Sequence, residues 1–581
     1  MLRSKAQATS ALSMDDDDVT VDVSSNDPFR QVDHRPQIRN SEIEQRKVVQ
    51  RDLNSRYEQR RRLLHGRENL QRGPHATARN RPGQPTSDPP TDDYANRQLQ
   101  PFVREPGGRF DSFNTLPSGT DGSDFVAKLV LYAHHQVYSH FFVGETKETS
   151  VLPYTNYALH YDHAYWGAAW FTCTSRRWLA GRSIEHTPQE LSFYSRSLES
   201  LRQALNDPSL ATHESTISTI LHLSFPPYLP DIDRSIPRPR QSNFKTWNLL
   251  HLATGLNVAE EHMLGLSTIV KLLGGVHNIQ SAQIRRSVCF QGIHFSGRHL
   301  KAPLFPFASL HPVEHLVRQS RLVRPRQLFE PAPDKTSRSR GTGFHEISFP
   351  KVPEEIQQPC VVWTYLADMT TILEDYASGG SLHSHSSLIL DQMQFTQHSL
   401  LSLPPAADLK RENQDRSGEG NTATLSISQV QLEVYEITRW ACICYANLVT
   451  YPTDYSTFPR LRLVRLLLRQ LKTAYDTNIV NQFSIQEVRL LFWAAVIGAV
   501  MAIGFESERA TFVVLVGRSA SDAQVKSWIE AKQVMESFLW HSQTSDPDAL
   551  KLWIEVQKLG GQGLAGSRLP ERRATTEDPL G

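Results

Sequence analysis

This 581-residue chain contains five cysteines, which could bind a metal or form disulfides, and their spacing limits both roles. A zinc cluster needs several cysteines a few residues apart, and no pair here follows the CxxC pattern. Scattered cysteines are typical of a protein in a reducing compartment. Cys442 and Cys444 are separated by one residue on a predicted helix and point in different directions, so we expect no disulfide between them. The five are Cys173, Cys289, Cys360, Cys442 and Cys444.

Histidines offer a second route to a metal site. His160 and His163 are one helical turn apart, which is a permissive spacing for two ligands. A third ligand is not apparent nearby, and zinc sites use three or four protein ligands. We therefore predict surface and core roles for these histidines, with no metal and no other cofactor. The same interpretation applies to His134, His135, His383 and His385.

Enzymatic motifs are absent from the sequence. It contains no GxSxG, no phosphate-binding loop and no HExxH. Residues 561–566, GQGLAG, match the glycine spacing of a dinucleotide-binding turn, but they follow a predicted helix and lead into a polar tail. We interpret them as a flexible loop and predict that the protein is not an enzyme.

Charge is segregated in the N-terminal part, although the whole chain carries a net charge of only +1. An acidic run occupies 15–18, and residues 41–72 hold nine Arg or Lys and five Asp or Glu, a net charge of +4. The basic segment is rich in helix formers. Three interpretations stay open: a solvated helix, a nuclear import signal, or sequence-blind contact with DNA phosphates. Its candidate contact residues are Arg56, Arg60, Arg61 and Arg62.

The elements that would position these residues fall into five regions. From residue 123 onward, apolar residues recur at steps of three and four, which predicts helices throughout. No stretch alternates like a strand, so the predicted class is all-α, an irregular multi-helix domain. The predicted regions are a disordered acidic arm at 1–40, a basic helix at 41–72, a Pro-rich linker at 73–122, an all-α domain at 123–560 with polar loop insertions near 324–357 and 403–424, and a disordered tail at 561–581.

The most apolar segment, 490–505, is 16 residues long, with a charged residue at each end. A bilayer span needs about 20 residues, so we predict a buried core helix and no membrane partner. Thr187, Pro188 and Glu190 have the pattern of a helix start with a capping box. Asp546 and Pro547 suggest a second start, after which Leu550 and Trp553 would face inward.

Four stretches in the second half carry apolar helices and caps in a characteristic order. In the first, His262 and Gly265 precede an apolar helix that ends at Gly274 and Gly275, where Gly274 would supply a left-handed C-cap. The stretches are 259–276, 434–452, 490–513 and 538–556. Together they resemble the regulatory domain of fungal-specific zinc-cluster transcription factors over about half of the chain.

The resemblance implies an all-α regulatory domain in a nuclear protein, with other transcription regulators as partners. In that family such proteins often govern secondary-metabolite genes. Zinc-cluster DNA binding cannot be carried over, because residues 1–122 contain no cysteine. DNA would be reached through a partner, or weakly through the basic arm. The alternative is a helical interaction scaffold with no direct role at promoters.

Charged residues inside the resembling stretches are candidates for structural ion pairs. Glu436 and Arg439 are three residues apart and can pair on one helix face. With Glu508 and Arg509 they could form one charged cluster. A cluster of this kind either fixes helix register or lines an effector pocket.

Overall fold

The computed structural model describes residues 147–179, 186–225, 235–249, 258–309, 340–354, 356–378, 386–418, 427–453 and 457–560. Within these ranges every regular element is a helix, which confirms the predicted all-α class. The helices enclose two large hydrophobic cores.

The first core is built by the helices that come earlier in the chain. Helix α2 packs against α1, α3 and α4. Its Trp170 is fully buried and donates its indole N–H to the Phe225 carbonyl at 2.9 Å, which satisfies the one polar atom of that ring. The helices are α1 (Lys147–His160), α2 (Asp162–Leu179), α3 (Pro188–Asn206), α4 (Glu214–Leu223), α5 (Glu260–Leu272) and α6 (Ala282–His299).

The second core is larger and surrounds helix α13 (Ile485–Met501). Neighbours on every side bury α13, since it packs against α11, α12, α14, α15 and α16. The other helices here are α7 (Thr342–His345), α8 (Pro359–Ala377), α9 (Ser386–Leu401), α10 (Ala406–Gly418), α11 (Gln429–Leu448), α12 (Thr457–Asp476), α14 (Glu506–Asp522), α15 (Trp528–Ser537) and α16 (Ser542–Gly560).

The burial of α13 confirms the interpretation of 490–505 as a core helix. Trp493, at its centre, donates its indole N–H to the Leu539 carbonyl at 2.8 Å and so ties α13 to the turn before α16. Among the described helices, none combines the length and the apolar content that crossing a membrane requires.

Helix α9 joins the two cores, because it packs against α6 on one side and against α8 and α11 on the other. Its middle is polar and yet buried, with Asp391, Gln394 and Gln397 all shielded from solvent. Asp391 lies 3.2 Å from the guanidinium of Arg286 on α6. Burial of so many polar groups on one helix is unusual and makes this contact depend on matched partners.

Two predicted helix ends are confirmed in atomic detail. The Thr187 hydroxyl accepts from the Glu190 N–H, and the Glu190 carboxylate accepts from the Thr187 N–H at 2.8 Å, which completes a capping box. At the end of α5, Gly274 has a φ of +88°. The Gly275 N–H reaches back to the Val270 carbonyl at 2.8 Å, as in a Schellman motif.

The polar loop predicted near 403–424 is wrong over most of its length. Residues Ala406–Gly418 form α10, held by the buried side chain of Leu409. The segment is polar because one leucine is enough to anchor it, while its Lys, Arg, Glu and Gln residues are good helix formers on a solvated face.

The predicted helix start at Asp546 is also wrong. Helix α16 begins at Ser542 and contains Pro547. The Asp546 carboxylate accepts instead from the Trp540 indole N–H at 2.7 Å and from Lys532 at 2.8 Å. Leu550 is exposed, whereas Trp553 is buried as expected.

Several predictions lie outside the described residues. These are the acidic arm at 1–40, the basic helix at 41–72, the linker at 73–122, half of the insertion at 324–357, and the tail at 561–581.

Candidate functional site

The basic residues proposed to contact DNA or an import receptor remain predictions. Arg56, Arg60, Arg61 and Arg62 belong to a part of the chain outside the described residues. No structural role is assigned to them.

Glu436 and Arg439 form a buried ion pair on α11, with nitrogen–oxygen distances of 2.7 and 3.1 Å. The Arg439 guanidinium also lies 4.1 Å from the centre of the Trp440 ring, a cation–π contact. The Glu436 carboxylate also accepts a hydrogen bond from the Ala406 N–H at 3.0 Å, at the start of α10. The sequence did not predict this second contact. Glu436 therefore caps the start of α10 and fixes the contact between α10 and α11.

Glu508 and Arg509 do not join that pair, so the expected four-residue cluster is wrong. Glu508 binds Arg465 of α12 at 2.8 Å. Arg509 binds Glu555 of α16 at 2.8 Å and donates to the Ala499 carbonyl at 3.0 Å. Each residue has a partner that lies more than forty positions away, and each contact holds α14 against a different helix.

The histidines considered as metal ligands are bound to other groups. The ring Nδ1 of His160 is 2.6 Å from the Asn156 carbonyl, and Nε2 of His163 is 3.0 Å from the Ser215 hydroxyl. Burial lowers the pKa of His163 to about 4. Within the described ranges, no group of three His, Cys, Asp or Glu residues is arranged to hold a metal. His134, His135, His383 and His385 are not described.

A basic cleft of about 370 Å³ opens on the described surface. It lies between the segment 235–249 and helix α16. Three cationic side chains line it, against one carboxylate, that of Asp548. The lining residues are Arg238, Pro239, Arg240, Gln241, Lys245 and Asp548.

The wall of the basic cleft is fixed by hydrogen bonds to the end of α11. The Gln241 side-chain amide donates to the carbonyls of Asn447 and Thr453, both at 2.9 Å. Ser242 binds two further carbonyls of that turn through its N–H and its hydroxyl. The carbonyls at a helix end have no partner within the helix, and this segment supplies them with donors.

The other wall is tied to the first through Asp548. Its carboxylate accepts from the Arg240 backbone N–H at 2.9 Å. This bond engages the one carboxylate among the lining residues. The side chains of Arg238, Arg240 and Lys245 also line the basic cleft. A cleft of this composition attracts anions.

Behind this wall lies Arg460 of α12, a buried arginine with 7% of its surface exposed. Its guanidinium stacks 4.4 Å from the centre of the Phe505 ring and donates to the Pro237 carbonyl at 3.2 Å, one residue before Arg238. Its Nη1 has no hydrogen-bond partner. Burial, and then the neighbouring charge of Arg238, lower the pKa of Arg460 to about 10.

Sequence reasoning did not identify the basic cleft. A signal that could have pointed to it is the alternation of proline and arginine at 237–240. Arg460 and Asp548 are both more than 200 residues away from this segment in the sequence.

Comparison with known proteins adds no further evidence: no family model, no curated protein and no solved structure matches the chain.

Proposed function

We propose that this protein is a regulator of transcription whose helical domain acts without a zinc cluster of its own. One observation supports the proposal more than any other. The four stretches that resemble the fungal regulatory domain occupy α5, α11, the pair α13 and α14, and the approach to α16 together with α16 itself. All but the first pack directly around α13 in the second core.

The cysteines and the charge support a mode of DNA contact that uses no zinc cluster. Four cysteines are buried on three helices, and the fifth, Cys360, is exposed. The buried ones are Cys173 on α2, Cys289 on α6, and Cys442 and Cys444 on α11. None of them can replace a zinc cluster. Target selection then falls to a partner regulator, with the basic segment 41–72 contributing import or sequence-blind phosphate contact.

The proposal is tested in a deletion strain and a strain that carries an epitope-tagged chain. We expect the tagged protein in the nucleus, enriched at promoters of genes whose transcript levels change on deletion. Chromatin immunoprecipitation with transcript profiling measures both. A tagged protein that stays in the cytosol, with transcripts unchanged on deletion, would contradict the proposal and leave the interaction scaffold as the better interpretation.

A second test addresses the basic segment. Replacement of Arg56, Arg60, Arg61 and Arg62 by glutamine removes four positive charges from it. We expect reduced nuclear accumulation and reduced promoter enrichment of the tagged protein. The matched control replaces four linker arginines, Arg79, Arg81, Arg97 and Arg104, and equal loss in both variants would show that general charge, not this segment, matters.

A further inference from the structure

Helices α6 and α9 supply the main contact between helices of the two hydrophobic cores in the part of the chain that the structure describes. Helix α6 belongs to both cores, because its Ile284 lies in the first, whereas its Phe290 and Ile293 lie in the second. Helix α9 adds apolar side chains to the second core. We call the surface between α6 and α9 the seam, and it is the main place where helices join the two cores.

Helix geometry places Gln394 of α9 at the seam. Asp391 lies 3.2 Å from the guanidinium of Arg286 on α6. One ring nitrogen of His398 lies 2.9 Å from the carbonyl of Phe305, in the segment that follows α6. Gln394 is three residues after Asp391 and four before His398, so it lies on the same side of α9 as both. The seam therefore contains a side-chain amide between two polar contacts.

Several polar atoms at the seam are buried without a hydrogen-bond partner among the described residues. The side-chain oxygen and nitrogen of Gln394 are two of them, and those of Gln397, one turn further along α9, are two more. Only 1% of either glutamine is exposed. On α6, Nε2 of His294 is buried in the same way. The His294 ring lies 6.2 Å from that of Tyr451, so it points toward the second core.

These polar atoms reduce the free energy that holds the seam closed. A buried polar atom without a partner destabilises the state that buries it, because water would bind it once it was exposed. Separation of α6 from α9 would hydrate Gln394, Gln397 and His294. It would also expose apolar side chains such as Phe290, which opposes separation. Because the two effects have opposite signs, the seam opens more easily than an apolar contact of the same size.

We propose that the seam is a conformational switch, at which α6 separates from α9 and closes on it again while each core stays folded. In the closed state the two glutamines and the histidine are buried, and in the open state they bind water. Contacts that open below the free energy of global unfolding are the ones through which proteins change conformation. The proposal does not depend on a role at promoters, so the purified full chain tests it whatever the outcome for transcription.

His294 reports opening through its reaction with diethyl pyrocarbonate, which modifies a neutral imidazole that solvent reaches. His222 is the matched control, because it is also buried, in the first core, and burial lowers the pKa of both rings to about 3, so both are neutral. Peptide mass spectrometry after limited modification measures the two rates. We expect His294 to react at least about tenfold faster than His222. Equal rates would overturn the proposal, because both rings would then react only after global unfolding.

Gln394→Met combined with Gln397→Met tests the cause of opening. Methionine is of similar length and has no amide to hydrate, so the double variant should slow the modification of His294 about tenfold. Gln392→Met is the matched control, since Gln392 is buried on the same helix but donates to the Thr396 hydroxyl at 3.4 Å, and it should not slow the reaction. An unchanged rate in the double variant would refute the proposal and indicate that internal water already binds the two amides. If the double variant does not fold, the comparison of the two histidines in the wild-type chain decides alone.

Discussion

Arg286 of α6 and Asp391 of α9 form an ion pair 3.2 Å long where neither side chain reaches solvent, with 2% and 0% of the two side chains exposed. The pair lies at the contact through which the helices of the first core meet α9. Charges in this position are strongly destabilising when one partner is lost, because the other stays buried and uncompensated.

Asp391→Asn should therefore lower the free energy of unfolding by about 3 kcal/mol or more. Urea denaturation measures it. The double variant Arg286→Met with Asp391→Leu removes both charges and should recover most of the loss. As a control, Glu199→Ala breaks the exposed pair with Arg202 and should leave the unfolding midpoint unchanged. A loss in Asp391→Asn no larger than in the control would contradict the prediction.

Two helical glycines should respond in opposite directions to substitution by alanine. At Gly498 of α13 a Cβ would overlap the Phe512 ring of α14, so Gly498→Ala should destabilise the chain by about 1–3 kcal/mol. At Gly265 of α5 a Cβ meets no atom within 4 Å, and the residue is exposed in a helix. Gly265→Ala should stabilise the chain by about 0.5–1 kcal/mol. Thermal or urea unfolding of both variants decides, and effects of the same sign would contradict the argument.

The stability of the protein should fall in mild acid because of buried histidines. Burial lowers the pKa of His222 to about 3, and that of His294 likewise, from an ordinary value near 6.5. At pH values between about 3 and 6.5, each of these histidines binds a proton in the unfolded chain and not in the folded chain. Stability is therefore fully present above about pH 6.5 and is lost as pH falls toward 3, by up to about 1.4 kcal/mol per pH unit for each such histidine.

His222→Gln tests this directly. The ring of His222 stacks on Phe171 with centroids 5.1 Å apart, inside the first core. Removing it should reduce the slope of unfolding free energy against pH, between about pH 6 and 4.5, by the contribution of one proton. A slope identical to that of the wild type would show that His222 does not remain neutral in the folded chain.

One cysteine should react rapidly with a thiol reagent in the native protein, and the other four should not. Cys360 is exposed, whereas the other four are buried. Burial raises the pKa of the Cys289 thiol to about 12 and also raises the pKa values of Cys442 and Cys444. Since the thiolate is the reactive form, an aromatic disulfide reagent should modify one thiol rapidly in the native protein and five in denaturant. Cys360→Ser should abolish the rapid phase, and a second rapidly reacting thiol would contradict the assignment.

Local signals in the sequence were enough to predict features that depend on residues close together in the chain. The capping box at Thr187, the left-handed Gly274 and the pairing of Glu436 with Arg439 each depend on residues within a few positions of one another. The burial of α13 was predictable because its apolar run is continuous.

The rest depended on contacts between distant residues. Arg509 pairs with Glu555, and Asp546 with Lys532 and Trp540, through packing that no spacing rule contains. Helix α10 was missed because a helix held by a single leucine looks like a solvated loop in composition. The basic cleft was missed because its residues come from two parts of the chain that lie far apart in sequence.

The hydrogen bond between Arg240 and Asp548 joins residues 308 positions apart. During synthesis the arginine leaves the ribosome long before the aspartate is added, so the two walls of the basic cleft cannot meet until almost all of the described chain has been translated. Arg240 and Lys245 spend that interval without the carboxylate that faces them in the finished protein. A nascent chain stalled before residue 548 would therefore lack the complete basic cleft, even where its earlier helices had already folded.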